Sequence, residues 1–471
     1  MEKEMRVLLG KNRINAEYTA SACRTFPYGN PEVLIESVCT DSREVEFGSL
    51  FCAIPGERVD GHDYIRSAYN NGCRAFLCER IPDGCEDMDN TAFIRVDNTV
   101  AALSALADAY CHGRVDSVIG VTGSVGKTTT KEFVASVLPK NNTYRTRGNY
   151  NSVIGLPLSM LEMPDSTSCA VLEMGMSGRG EIEIMSRVAK PDIAIITNIG
   201  TSHMEMLGSR EGIRDAKLEI VKGIKKDGVL LVNGDDDMLR DIDVPCKLLR
   251  VSVKDPGCEI YANNIRQRNG ETVFDVVYKN TVYTDIRIPT LGIHNVYAAS
   301  FAFAVACLTD ISFEDTRERL AGFETPKMRQ NIYDACGITI IEDCYNASPE
   351  SMRAALDVLD TLSRERGNSR KVALLGDMLE LGESSPTLHR GVGEYVAERK
   401  IDRLVTLGAL AKNIADGARG VISVSVADRQ DSEEASERLA EILLPGDILL
   451  VKASRGVHAE KVIELIKERL K

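Results

Sequence analysis

Between residues 116 and 310, apolar and polar positions alternate in blocks. Short β-branched runs at 117–121, 170–173, 193–198 and 229–232 are separated by amphipathic stretches with helical spacing. Strands that read as near-continuous apolar runs, with helices between them, predict a parallel sheet wound with helices. A second series of the same kind begins near Gly337, with strand candidates at 338–342, 372–375, 404–407 and 448–451, each followed by a helical pattern. It predicts a separate α/β domain. Before residue 110 the pattern is less regular: strand-like at 37–40 and 75–78, helix-like around 65–71 and 100–110. Boundaries near residues 112 and 325 therefore divide the chain into 1–112, 113–325 and 326–471, an α/β protein of three domains. A length of 471 residues agrees, being too long for a single core.

Composition narrows the partners. The net charge of −13 and the absence of a strongly basic tract exclude a nucleic-acid backbone as the main ligand, because that binding rests on clustered Lys and Arg. Small molecules are expected, held in local positive pockets where they are anionic. The 13 cysteines run from Cys23 to Cys344, are odd in number, and nowhere form a C-x₂-C pair. Buried reduced thiols are expected rather than a disulfide scaffold or a zinc site. The N-terminus lacks a secretory apolar stretch, and no window approaches a membrane span, so a soluble cytoplasmic protein without membrane insertion is expected.

One segment carries explicit chemistry. Residues 120–131 read Gly-Val-Thr-Gly-Ser-Val-Gly-Lys-Thr-Thr-Thr-Lys and follow an apolar run, so a glycine-rich turn leaves a strand and opens a helix. Gly123 and Gly126 would let the backbone from Ser124 and Val125 to Thr129 close on phosphate oxygens. Lys127 would reach the β/γ-phosphates, and the Thr128 hydroxyl would bind Mg²⁺. The strict spacing asks for glycine where this chain has Val121, which leaves open a loop whose lysine is merely solvated.

Other polar groups stand at strand ends. Glu173 is either a Mg²⁺ ligand beside the phosphate loop or an exposed strand terminus. His203 is a further ligand or an ordinary packed or exposed histidine. Lys217 lies on a helix, where spacing alone makes it a surface residue. Asn295, near a helix start, caps that helix or contacts a base. The run Asp343-Cys-Tyr-Asn-Ala-Ser-Pro-Glu-Ser-Met closes a strand where α/β sheets present ligand contacts, or is a plain strand-to-helix turn. The segments 376–382 and 452–456 add acidic and basic groups suited to a zwitterion. In the first domain, Ser42 and Arg43 of Thr-Asp-Ser-Arg would serve an anionic ligand or simply build a loop, while Leu50 and Phe51 read as core.

In combination these segments resemble the Mur ligases of peptidoglycan synthesis, over almost the whole chain and in the right order. The resemblance rests on Thr-Asp-Ser-Arg with Asp60-Gly-His, Gly-x-x-Gly-Lys-Thr-Thr, Thr146-x-Gly-Asn149-x-Asn151, Glu173-Met-Gly, Asn198-Ile with His203, Ala-Lys217 and Gly-x-His-Asn295. The Asp343–Met352 run and Gly-Asp-Met-x-Glu-Leu-Gly match the dipeptide-adding member best. The family commonly has asparagine three residues after Asn295, where this chain has Ala298, and this chain also lacks the Asn-Asn pair common in relatives, having Asn149-Tyr-Asn151.

The resemblance implies a mixed α/β N-terminal domain, a central P-loop parallel-sheet ATPase-type domain and a Rossmann-like C-terminal domain. It implies that Ser42 and Arg43 hold a uridine diphosphate end, that Lys127 and Thr128 hold ATP phosphates and metal, and that Asn149 and Asn151 face substrate. Glu173 and His203 would ligate Mg²⁺, and Lys217, as a carbamate, would help bind a second Mg²⁺. Asn295 would contact adenine and Arg329 the nucleotide, with Asp343, Tyr345 and Asn346 near nucleotide and incoming dipeptide. The implied activity of this member is ATP-dependent joining of D-Ala-D-Ala to UDP-MurNAc-tripeptide by a monomer, through an acyl phosphate. Competing readings are a ligase adding a diamino acid or glutamate, and a nucleotide switch or motor that hydrolyses ATP without an acceptor.

Overall fold

The computed structural model describes residues 6–10, 13–56, 58–111, 113–202, 204–426 and 428–470. Three large sheets account for the predicted series. The first has four parallel strands, Ser37–Cys39, Ser49–Cys52, Ala75–Cys78 and Ala92–Arg95, closed at its edges by the antiparallel strands Arg6–Leu8 and Pro27–Gly29. Leu50 and Phe51 are core as expected, one on each face of this sheet. The apolar cluster on one face continues through the helices Thr99–Cys111 and Gly155–Leu161 into the central unit, so Leu103 and Leu106 share a core with Leu156 and Leu161.

The central sheet has nine strands. Ser117–Thr122 lies between Cys169–Glu173 and Ile193–Ile196, all parallel. All three strands are buried on both faces apart from Ser117, which is why they read as unbroken apolar runs. Register pairs Glu173 with Val121 and Ile196 with Thr122, so the three carboxyl ends finish level and place Gly123, Glu173 and Thr197 side by side. The sheet ends in an antiparallel ribbon, Ile260–Arg268, Glu271–Tyr278 and Thr281–Ile288, absent from the sequence reading. The helix Ile293–Leu308, apolar almost all round, fills the space between sheet and ribbon.

The third sheet runs Asn331–Ala335, Ile338–Glu342, Ile448–Lys452, Lys371–Gly376, Arg403–Leu407, Ile422–Val426 and is parallel except for its first strand. Its helices cover both faces, with Pro349–Glu365 and Ser385–Glu398 on one and Ser432–Ile442 and Glu460–Arg469 on the other. This is the doubly wound arrangement whose carboxyl strand ends receive ligands. No helix among the described residues is long and apolar enough to cross a membrane. All thirteen cysteines are unpaired; seven are buried, whereas Cys336 is exposed, so the expectation of buried thiols holds only in part. Burial pushes the thiols of Cys23, Cys73, Cys78 and Cys111 up to about 12, which keeps them unreactive.

Candidate active site

The glycine-rich turn leaves the strand Ser117–Thr122 and opens the helix Lys127–Val137. Two glycines make that turn for different reasons. Gly126, the helix N-cap, has φ 82°, which L side chains rarely adopt, with open space beside it. Gly123 has φ 148°, and a Cβ there would overlap the Thr197 hydroxyl, so both conformation and contact demand glycine. The loop is braced from below. Thr197 Oγ1 donates to the Val125 carbonyl at 2.6 Å, and Asn198 both donates to that carbonyl at 2.9 Å and accepts from the Val125 amide at 2.9 Å.

Lys127 is half-buried and donates to the carbonyls of Gly123 at 2.8 Å and Ser124 at 3.4 Å, folding back over its own loop. Burial pulls its ammonium below the usual lysine value, with Glu173 opposing. One helical turn on, Lys131 is buried and donates to the Thr146 carbonyl at 2.7 Å, while standing 3.8 Å from Glu173 and 3.1 Å from Glu132. The sequence reading missed Lys131, although its i,i+4 spacing from Lys127 put it on the same helix face.

Glu173 is 3% exposed, which removes the reading of an exposed strand terminus. Its carboxylate accepts from Thr128 Oγ1 at 2.9 Å and from Asn151 Nδ2 at 2.9 Å. Burial alone would push its pKa up, but Lys131, Lys127 and Arg329 together hold it below the ordinary value, so Glu173 is an anion. Its carboxylate and the Thr128 hydroxyl form a pair of oxygen donors beside the phosphate loop, the chemistry Mg²⁺ prefers, so the residues fit that ion. His203 lies outside the described residues. Among the described residues no cluster of three His, Cys, Asp or Glu side chains gathers, so further oxygen donors would have to come from a phosphate and water.

The third unit reaches this site through Arg329. Its Nη2 donates to Thr128 Oγ1 at 2.9 Å, and its guanidinium lies 4.2 Å from the centre of the Tyr345 ring. Asp343 accepts from Lys452 Nζ at 2.7 Å, and that buried ammonium also donates to the Asn346 carbonyl at 3.0 Å. Lys452 and Arg455 are thus already matched, the second by Glu460 at 2.8 Å. Asp377 is buried and accepts from the Ala411 amide at 2.7 Å, so in the segment proposed for a zwitterion it is Glu380 that faces the open space.

Asn295 does not cap its helix, whose N-cap is Gly292. Buried, it donates to the Leu291 carbonyl at 2.8 Å and to Gln330 Oε1 at 3.0 Å, and His294 shares that oxygen at 2.9 Å. Ala298, Tyr297 and Phe301 give the neighbouring wall an apolar face. One cavity of about 580 Å³ joins all of this: the phosphate loop from Ser124 to Thr129, Asn149, Asn151, Glu173, Asn295, Arg329, Asp343, Tyr345 and Asn346. Ser42, Arg43 and Lys217 are outside its lining. Ser42 is buried, and exposed Arg43 is turned onto Asp41 at the far unit. Lys217, in the last turn of Arg210–Leu218, is 1% exposed, and its ammonium has no hydrogen bond or ion pair among the described residues. Burial drives its pKa well below the usual value, and the charge of Lys127 pushes the same way.

Three family models match successive stretches of the chain. The Mur ligase family catalytic-domain model matches residues 34–111, the Mur ligase middle-domain model 121–306, and the glutamate ligase domain model of Mur ligases 328–455. The chain belongs to the Mur ligase family. It is 41% identical over 438 residues to the UDP-N-acetylmuramoyl-tripeptide–D-alanyl-D-alanine ligase of Bacillus subtilis, covering 92% of this chain and 93% of that one. The ligase of the same description from Synechocystis is 33% identical over 92% of each chain. Among solved structures, MurF from Acinetobacter baumannii superposes with a TM-score of 0.88 at 32% identity, covering 98% of this chain and 100% of that one. MurF of Thermotoga maritima in complex with ADP gives 0.79 at 30% identity, covering 92% and 97%.

Proposed function

We propose that this chain is the ATP-dependent ligase that joins D-alanyl-D-alanine to UDP-N-acetylmuramoyl-tripeptide, releasing ADP and phosphate. The observation that carries the reading is the single cavity in which a phosphate loop of the central unit faces the Asp343–Ser348 loop of the third. A nucleotide switch needs only the first. The relatives of this description cover nine-tenths of the chain, which favours this acceptor over a diamino acid or glutamate.

In this reading residues 1–112 bind the uridine diphosphate end through Ser42 and Arg43, 113–325 bind ATP, and 326–471 bind the incoming dipeptide. The tripeptide's terminal carboxylate oxygen attacks the γ-phosphorus, and the bond to the β,γ-bridging oxygen breaks, giving an acyl phosphate and ADP. The amine of D-alanyl-D-alanine then adds to the acyl carbon, loses a proton, and expels phosphate. The difficulty is bringing two anions together. Lys127, swinging from its loop carbonyls to the phosphates, and Arg329, beside Thr128, supply positive charge where it develops. Thr128, Glu173 and His203 would hold one Mg²⁺ and a carbamate on Lys217 a second; when bound, these ions neutralise phosphate charge. Asn295 with Gln330 gives a buried amide edge for adenine, and Asn149, Asn151 and Tyr345 face the substrates. The reading keeps the protein a monomer, and unpaired thiols suit the cytoplasm.

Phosphate release by purified protein with ATP and magnesium tests the assignment. Rapid release is expected only when muramoyl tripeptide and D-alanyl-D-alanine are both present. Equal release without either acceptor would make the protein a plain ATPase.

A further inference from the structure

The third unit grips the central one at a second point that the proposed chemistry leaves unused. Glu350 stands in the first turn of Pro349–Glu365, a helix already capped by Ser348 with Ser351 returning the bond. Its carboxylate turns away to the other unit. Oε1 accepts from the Thr201 amide at 2.9 Å and from the Thr201 hydroxyl at 3.0 Å, residues 149 positions apart. Its other oxygen, Oε2, is buried with no hydrogen-bond partner among the described residues. The fit beside it is close: a Cβ on Gly200 would stand 3.0 Å from the Glu350 carboxyl carbon and 3.2 Å from Ser124 Cβ.

The segment that Glu350 holds is the strut of the phosphate loop. The Gly200 amide donates to Ser124 Oγ at 2.9 Å, the Ser124 amide to the Asn198 carbonyl at 3.0 Å, and Asn198 secures Val125 from both ends of its amide. These bonds hold the loop's shape without help from the third unit. What Glu350 adds is a link from that strut to the helix that follows the Asp343–Ser348 loop, so docking of the third unit is read directly at the nucleotide site.

We infer that Glu350 is a positioning residue, a latch that fixes the third unit over the phosphate loop through Thr201; this rests on the ligase reading above. Both hydrogen-bond donors are neutral, so the latch is built on acceptor lone pairs, with the Arg210 guanidinium near enough to feel the Glu350 charge without bonding it. Glutamine keeps the acceptor and replaces a buried unpaired anionic oxygen with a neutral amide, whereas alanine removes both bonds.

The test is a double-mutant cycle in the ligation assay, with ATP binding measured separately by equilibrium dialysis. Glu350→Ala is expected to lower kcat about tenfold while the ATP dissociation constant stays within about twofold, and Glu350→Gln to stay within about threefold of wild type. Thr201→Val should cost about threefold alone and nothing further in the Glu350→Ala background. A glutamine variant as slow as alanine, additive losses, or weaker ATP binding that accounts for the whole effect would overturn the latch. If Glu350→Ala does not fold, Thr201→Val at the wild-type rate would overturn it equally. An inactive wild type sinks the ligase reading itself, whereas an active wild type with an equally active alanine variant sinks the latch alone.

Discussion

Replacing Lys127 with alanine is expected to lower ligation about a thousandfold, equivalent to roughly 4 kcal/mol of lost transition-state stabilisation, while leaving the fold intact. Among the described residues the Lys127 ammonium bonds only carbonyls of its own loop, at 2.8 and 3.4 Å, so no link to another element is lost. Water can take over at those carbonyls, because the site is an open cavity. At the γ-phosphate no other group takes the place of Lys127: Lys131 is tied to Thr146 and Glu132, and Arg329 acts from its own position beside Thr128. The expected signature is a wild-type melting temperature with ADP formation reduced by that factor. Near-normal phosphate release from the variant would refute the role of Lys127.

The second large effect is expected at Lys217, where alanine should cost about a hundredfold in rate, roughly 3 kcal/mol. An ammonium buried without a partner is costly enough that the group gives up its proton. Lys217 is 1% exposed, has no partner among the described residues, and lies within the influence of the Lys127 charge. A neutral buried amine is a nucleophile for CO₂: its lone pair forms the N–C bond, one proton leaves, and the product is a carbamate with two oxygens and a negative charge. That charge would answer Lys127 and supply a metal with oxygen donors. Activity should therefore fall when bicarbonate is removed, short carboxylic acids should partly restore Lys217→Ala, and ¹³C-bicarbonate should give a carbamate resonance in wild type that is lost in the variant. Full activity of Lys217→Ala would dispose of the carbamate.

Strands buried on both faces were legible, so 338–342 and 75–78 were read at their observed limits. The phosphate loop followed directly from its glycines and lysine. The ribbon from Ile260 to Ile288 was missed, since its strands expose polar positions such as Asn264, Arg266 and Arg268, and a bulge between Asn263 and Arg266 interrupts the pairing. Contacts between units were equally hidden: nothing local announces that Arg329 meets Thr128 or that Glu350 meets Thr201. Asn295 shows the limit of local rules, since Gly292 caps the helix and the buried amide is committed to Leu291 and Gln330. The family resemblance, and no spacing, singled out Lys217, whose burial is a property of tertiary packing. Ser42 and Arg43 stand apart from the cavity, and the family resemblance alone singled them out for the uridine diphosphate end.

Carboxylate activation is the centre of the account, and oxygen tracing tests it most directly. Muramoyl tripeptide labelled with ¹⁸O in its terminal carboxylate, turned over with ATP and D-alanyl-D-alanine in unlabelled water, should deliver one labelled oxygen to each phosphate released. Phosphate free of the label, with its new oxygen drawn from water, would contradict the acyl phosphate and leave this protein a hydrolase.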